Sequence, residues 1–346
     1  MRIFALLLVL VALIGAAIGG LLQTFGHFRS IEREFTGQCL PVTGVSGPED
    51  MAIVRNNGLV FISSLDRRMP EARGAIHLFN PANPLAAGGW QDVTNGSPEM
   101  FRPLGISYFE DSSYRRLFVV NEAVNGVELY DVGEDGTLVH LESFTERRLT
   151  SPNNIVAVGP SSFYVTNDVN PGRGTLTGTV QFLTRQASGE VFFSDGKIWQ
   201  QVASGLRFAN GIAISPDGEQ IYVAEMTGNS IVGFSRDTRT NALNPSGQLY
   251  NLTFSPDNIS IDEDGRIWVA GLPKPLSVPR HESNPENLAP SQVAMIKPSS
   301  DAKTVYLDDG SELSASTVAS YIGDVLLIGA LYENKFLLCD LPSTDI

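Results

Sequence analysis

Seven oxygen-bearing side chains stand at the heads of short apolar runs: Glu49 and Asp50, Asn153 and Asn154, Asn210, and Asp257 and Asn258. Gathered at one place, carboxylates and amides of this kind suit a hard cation. Calcium takes roughly six to eight oxygens from carboxylates, amides, backbone carbonyls and water, whereas magnesium keeps more of its own water. Zinc would ask for His or Cys. The four histidines are scattered, and the two cysteines, Cys39 and Cys339, lie near opposite ends. The plain alternative is that Asn and Asp before a strand are turn residues bonding their own backbone. For one such residue the turn reading is the stronger. For equivalent positions in several repeats, the ligand reading is.

Those repeats are what must position the oxygens. Segments 49–53, 104–108, 153–158, 210–214, 255–262 and 316–320 each begin an apolar run, and each is followed by a second strand-like run. The second runs start at Gly58, Arg116, Ser162, Gln220, Gly265 and Asp324. Turn signals such as Pro216-Asp217-Gly218 and Glu263-Asp264-Gly265 join first and second runs as hairpins. Starts about 50 to 60 residues apart match a propeller blade. Further runs at 126–130, 178–183, 230–234 and 335–339 supply outer strands. The chain is predicted to be all-β, a six-bladed β-propeller with four-stranded blades around a central channel. A large β-sandwich is the alternative, but it does not explain the repeat. In a propeller the head of each innermost strand rings one mouth of the channel, so four of the six blades aim hard oxygens at one locus.

Composition agrees with a folded chain of this kind: 346 residues, 42% hydrophobic and 18% charged, with 33 Gly and 20 Pro for turns. A net charge of −14 argues against a nucleic-acid partner. Residues 1–22 form a charged start and an apolar run long enough to span a bilayer, a signal peptide or signal anchor. Residues 23–38 read as a polar linker with a short amphipathic helix, and 39–346 as the propeller. Entry to the secretory pathway, with the propeller secreted or anchored on the lumenal or extracellular side, puts the cysteines in an oxidising compartment. There Cys39 and Cys339 are expected to bridge and tie the last strand beside the first; two buried free thiols are the alternative. Asn95, Asn251 and Asn258 head glycosylation sequons, of which Asn251 is the best placed.

The motifs together resemble the paraoxonase/arylesterase family of six-bladed, calcium-dependent lactonases and esterases. The matching segments include Gly47-Pro48-Glu49-Asp50-Met51, Asn154-Ile155-Val156-Ala157-Val158-Gly159-Pro160, Phe208-Ala209-Asn210-Gly211-Ile212, Asp257-Asn258-Ile259-Ser260-Ile261-Asp262 and Ser316-Thr317-Val318-Ala319-Ser320, and they extend from about Cys39 to Leu341. The resemblance implies that Glu49, Asn153, Asn210, Asp257 and Asn258 hold a catalytic calcium. It implies a second, structural calcium at Asp50 and the backbone carbonyl of Ile106, with Asn154 where an Asp is usual. It also implies a Cys39–Cys339 disulfide and a retained N-terminal anchor. The chain departs from the family at the histidines: Leu104 and Glu122 stand where mammalian members carry a pair, Val169 replaces a third, and Gly271 replaces a free cysteine.

The expected activity is therefore hydrolysis of a lactone or aryl ester, with its carbonyl polarised by calcium. Glu49 or Asp257 would activate water, and Glu122 would act as an outer base. Leu104 would make the pocket apolar and favour a bulky hydrophobic substrate. The missing histidines keep a second class in view, a cyclase, isomerase or cycloaddition catalyst using the same pocket. A membrane-anchored binding propeller ranks last, because such a module does not need ligands converging in a channel. Loops 65–75, 170–177 and 272–290 would set substrate choice; the sequence names neither the substrate nor an oligomeric state.

Overall fold

A computed structural model of the chain describes residues 2–84, 89–298 and 300–341; Met1 and the end of the third predicted region, 342–346, lie outside them. Six four-stranded antiparallel sheets follow one another as blades. Their innermost strands are Pro48–Val54, Pro103–Glu110, Pro152–Ala157, Ala209–Ile214, Ser255–Ile261 and Ser316–Ile322. These are the six predicted starts, and neighbouring innermost strands pack against each other around the ring. The propeller is thus the fold, and the sandwich is set aside.

Burial on both faces explains the blades. Second strands such as Phe163–Asn167 and Ile267–Leu272 are buried at every position, because each is covered on both faces by neighbouring blades. Apolar clusters fill the wedges between blades. One joins Phe61, Ile76 and Leu78 of blade one to Leu117, Val119 and Tyr130 of blade two. Another sets Phe118 of blade two against Phe163 of blade three, ring centroids 5.4 Å apart. Each such side chain contributes about 1.5–3 kcal/mol when fully buried.

The ring closes with the two ends of the domain in one sheet. Cys39–Thr43 forms the outer strand of blade six, antiparallel to Lys335–Asp340, with Cys39 directly opposite Cys339. The two sulfurs are bonded, so the free-thiol alternative falls.

The feature that matters for function is repeated six times. Every innermost strand carries a register irregularity near its head: between Pro48 and Asp50, Pro103 and Ile106, Pro152 and Ile155, Ala209 and Ile212, Pro256 and Ile259, and Ser316 and Val318. A bulge breaks the alternation of faces and re-aims the residues inside it. Glu49, Asn153, Asn154, Asn210, Asp257 and Asn258 all fall within these bulges. Close approach of adjacent bulges requires Gly211, where an added Cβ would lie 2.6 Å from the Asp257 carbonyl oxygen and 2.7 Å from the Asn258 Cα.

Two expectations are corrected. Residues 178–183 are not a strand but part of a helix, Leu176–Thr184 (α2 below). The Thr175 hydroxyl accepts from the Gly178 amide at 2.9 Å and caps its start, and the third strand of blade three is Gly189–Ser194 instead. A local cap outweighed the β-branched composition. The N-terminal helix (α1), Arg2–Thr24, is long and apolar enough to cross a bilayer and is exposed along that stretch. No amphipathic helix follows it in 25–38. The chain turns at Gly26, with φ +66° and the Pro273 carbonyl where a Cβ would stand. Phe25 then stacks on Phe182 of α2 at 5.5 Å.

Candidate metal centre

Innermost strands start at one mouth of the channel, so second strands end there and the loops from second to third strands cover it. Those loops are 65–74, 122–125, 168–188, 226–229, 273–290 and 331–334. α2 and the short helix Val278–Ser283 (α3) lie in two of them. Phe25, just past α1, meets Phe182 of α2 on this same face.

Beneath the loops, the bulged residues form one hydrogen-bonded group. Asn258 Nδ2 donates to Glu49 Oε1 at 3.0 Å and to the Glu49 carbonyl at 3.1 Å. Thr317 Oγ1 donates to that same carbonyl at 2.8 Å. Asn154 Nδ2 donates to Asn258 Oδ1 at 2.6 Å and to Asp50 Oδ2 at 3.1 Å. Asn210 Nδ2 donates to Met226 Sδ at 3.7 Å, and the Asn210 amide pulls Asp257 down against its burial. Asn153 Nδ2 donates to Asp168 Oδ2 at 3.3 Å. Glu49, Asn153, Asn210, Asp257 and Asn258 are all at least nine-tenths buried.

The oxygens left over define what the group lacks. Glu49 Oε2, Asn153 Oδ1 and Asn210 Oδ1 are buried without a hydrogen-bond donor. Buried polar atoms are normally satisfied, and leaving one bare costs about 1–3 kcal/mol, more for a charged group. Burial pushes the Glu49 carboxyl up from its ordinary value, although Arg67 and the Asn258 amide pull the other way. Burial and then the Glu49 charge push Asp257 well up. Three bare oxygens beside two carboxylates of suppressed acidity make a group that a hard cation would satisfy. The donor set is carboxylate-poor: among the described residues, no three His, Cys, Asp or Glu side chains gather as a metal cluster. Amides complete the set, which suits calcium and not zinc.

The second, structural site does not fit. Asp50 Oδ1 accepts from the Met51 amide at 2.9 Å, and Oδ2 accepts from the Ile106 amide at 2.8 Å as well as from Asn154. The Asn154 oxygen in turn accepts from the Ile155 amide at 2.8 Å. Its NH2 bridges two acceptors where a cation would, so no bare oxygen remains at Asp50.

Other predicted residues sit differently. Glu122 lies in the blade-two loop, ion-paired to Arg102 at 3.1 Å and partly exposed. Leu104 does not supply an apolar channel wall; it is buried in the cluster of Phe118, Val120 and Ile155. Asn251 ends an outer strand and is exposed, whereas Asn258 is fully buried and closed to modification. Three residues went unanticipated. Asp168, at the end of the second strand of blade three, is fully buried with Oδ1 bare, and burial raises it. Arg173 pairs with it at 3.0 Å, and Arg67, in the blade-one loop, pulls the Glu49 carboxyl down against its burial. The Asn167-Asp168 pair could have been found by the rule used for strand heads, applied to the adjacent strand ends; the arginines sit in loops without a repeat to mark them.

The match to known proteins agrees with this geometry. The arylesterase family model matches residues 39–341. Human serum paraoxonase/arylesterase 1 is 35% identical over 328 residues, 88% of each chain. Among solved structures, a gluconolactonase from Xanthomonas campestris superposes with a TM-score of 0.58 at 17% identity, covering 90% of this chain and 91% of that one. Regucalcin from Agrobacterium tumefaciens, a calcium-binding protein, superposes with a TM-score of 0.50 at 16% identity, covering 88% and 93%. At those identities the two structures speak to the fold alone.

Proposed function

The chain belongs to the arylesterase family, and on that premise we propose that it is a calcium-dependent hydrolase of lactones or aryl esters. The observation that carries the reading is the set of bare buried oxygens on Glu49, Asn153 and Asn210, with Asp257 and Asn258 completing the ring. Calcium held there would polarise the ester carbonyl and stabilise the developing oxyanion as a Lewis acid.

This chain's own residues do the rest. Asn258 fixes Glu49 through Oε1, which leaves Oε2 to hold the cation, and Asp257 would take the proton from water. Calcium beside them would offset the rise that burial gives Glu49 and Asp257, keeping both ionised and able to accept a proton. Glu122 is held by Arg102, which suits a rim residue that orients rather than one that abstracts. The deep position of the group keeps bulk water away.

The substrate would be a largely apolar small molecule that arrives along a lipid-facing rim. Met69, Met100, Leu176, Val180 and Leu288 expose apolar surface on the face where the site lies, beside α1. That arrangement suits a protein held at a membrane with its mouth toward the bilayer. The relatives' names place them in serum, and a cleaved or retained α1 would give the secreted or the anchored form.

The test is turnover of a panel of aryl esters and lactones by the purified protein, with calcium and with chelator, followed by mass analysis of products. Hydrolysis adds the mass of water, whereas cyclisation or isomerisation adds nothing. Absence of calcium-dependent turnover across the panel would sink the proposal.

A further inference from the structure

We propose that Arg67 is a specificity residue of this site and that the substrates carry a carboxylate besides the ester or lactone group. This inference rests on the hydrolase reading and names the substrate class within it.

Several arginines stand around the mouth, and those nearest the site besides Arg67 are spoken for. Arg173 donates to the Ser151 hydroxyl at 2.8 Å and the Pro152 carbonyl at 2.9 Å, and pairs with Asp168. Arg102 pairs with Glu122. Arg68 donates to the carbonyls of Tyr332, His281 and Glu282. Arg67 differs. Its Nη2 donates to the Pro103 carbonyl at 2.9 Å, which pins the guanidinium at the head of the innermost strand of blade two. Its Nη1 is buried and meets no acceptor; among the described residues no other arginine nitrogen is in that state. Of the charged groups around Glu49, Arg67 is the one whose field acts on it most.

A guanidinium presents five donors in a fixed fork, and a buried cationic N–H without an acceptor is costly. The fork is held in place, close enough to the catalytic carboxylate for its field to reach, and one arm is unused. A carboxylate is the acceptor that matches the fork in charge and shape. Substrate would supply it, with the ester carbonyl turned toward the bare oxygens and the carboxylate on Arg67.

The experiment has a binding arm and a turnover arm, both with the full chain loaded with calcium. Binding of benzoate and of its neutral isostere benzamide is measured by calorimetry on the wild type, Arg67→Met and Arg67→Lys. Benzoate should bind about tenfold more tightly than benzamide, Arg67→Met should erase most of that preference, and Arg67→Lys should retain part of it. Equal binding of the two probes overturns the proposal. So does a benzoate preference that survives Arg67→Met, since the cation alone would then hold the carboxylate. If Arg67→Met does not fold, Arg67→Gln takes its place. In the turnover arm, the ratio of kcat/KM for 4-acetoxybenzoate over 4-acetoxybenzamide should fall toward unity in Arg67→Met, mainly through KM. Arg67-dependent benzoate binding without any ester turnover would sink the hydrolase reading and leave Arg67 as a carboxylate-binding residue of a different chemistry. Hydrolysis of both esters at a ratio indifferent to Arg67 would do the reverse.

Discussion

Blade five holds two buried aspartates five positions apart, with nearly equal exposure, 6% for Asp257 and 7% for Asp262. Their surroundings are opposite. Asp262, just past the far end of the innermost strand, accepts from the amides of Asp264 and Arg266 at 3.0 Å each, and from Arg266 Nε and Trp268 Nε1 at 2.7 Å each. Arg266 adds a positive charge, and Trp268 stacks on Tyr321 at 4.7 Å. Among the described residues Asp257, at the head of the same strand, accepts from no backbone amide, has the Asn210 amide beside it and faces the like charges of Glu49 and Asp50, with Arg173 the one opposing charge. A carboxylate surrounded by donors organises its neighbourhood and is finished. A carboxylate buried among other carboxylates is incomplete until something positive arrives. The residue type is the same; the count of donors separates structure from chemistry.

The sharpest way to break this comparison is to remove each carboxylate in turn. Asp257→Ala should lower calcium-dependent turnover by about 10³-fold, in line with loss of an electrostatic group at a reacting centre, and should abolish tight calcium binding. In chelator its stability should equal or exceed that of wild type, because a buried repulsion has gone. Asp262→Ala should do the opposite. Stripping a buried pair of one partner costs about 3–5 kcal/mol, while calcium affinity per folded molecule stays within about twofold, the change expected of a distant site. Calcium titration and denaturant unfolding of both variants read these outcomes; an Asp257→Ala protein that still binds calcium tightly ends the distinction.

A control removes stability without touching either aspartate. The double variant Cys39→Ala, Cys339→Ala opens a bridge spanning 300 residues of sequence. It should lose about 2–5 kcal/mol with calcium affinity unaltered while folded. If affinity falls with it, stability and site are not separable, and the Asp262 result loses its meaning. Chelation gives a smaller effect. Removing calcium present at about 100 times its Kd should cost about 2.7 kcal/mol in wild type and in Asp262→Ala, and nothing in Asp257→Ala. Parallel thermal scans with and without chelator would show it.

The six strand heads were legible because an oxygen-bearing or small residue followed by an apolar run is a local pattern, and it repeats. Closure by Cys39 and Cys339 was legible for the same reason, two residues at the two ends of a ring. The bulges were not, since Pro48-Glu49-Asp50 and Pro256-Asp257-Asn258 look like ordinary turn segments until the register shows where pairing slips. Asn154 occupies a position equivalent to a ligand's, and only the hydrogen bonds show its NH2 bridging Asp50 and Asn258. Segment 178–183 was misjudged because a threonine cap three residues upstream decides between helix and strand, and alternation cannot see it. Arg67 and Arg173 act from loops, where side-chain direction depends on long-range packing.

His281 carries the same rule to a group that titrates, at the rim, where the effect is smallest. It is fully buried in α3, with Nδ1 3.0 Å from the Asn287 carbonyl and Nε2 3.1 Å from Arg68 Nη2. Arg68 can only donate, so Nε2 accepts and the proton sits on Nδ1. The ring is neutral and finished, like Asp262. A second proton would set two positive groups against each other, with Glu333 Oε1 at 3.4 Å the only nearby counter-charge among the described residues. Burial, with Arg68 beside it, holds His281 below its ordinary value. The unfolded chain, titrating near 6.5, therefore binds more protons than the folded one just below that pH. Stability attributable to His281 is complete above about pH 6.5 and falls on acidification, with a slope of at most ~1.4 kcal/mol per pH unit for one proton. His281→Gln should flatten the stability profile between about pH 5 and 6.5 and leave the calcium requirement of turnover unchanged. Denaturant unfolding at a series of pH values compares the two proteins. A profile that keeps its full slope in the variant would place the titration elsewhere and remove His281 from the class of completed groups.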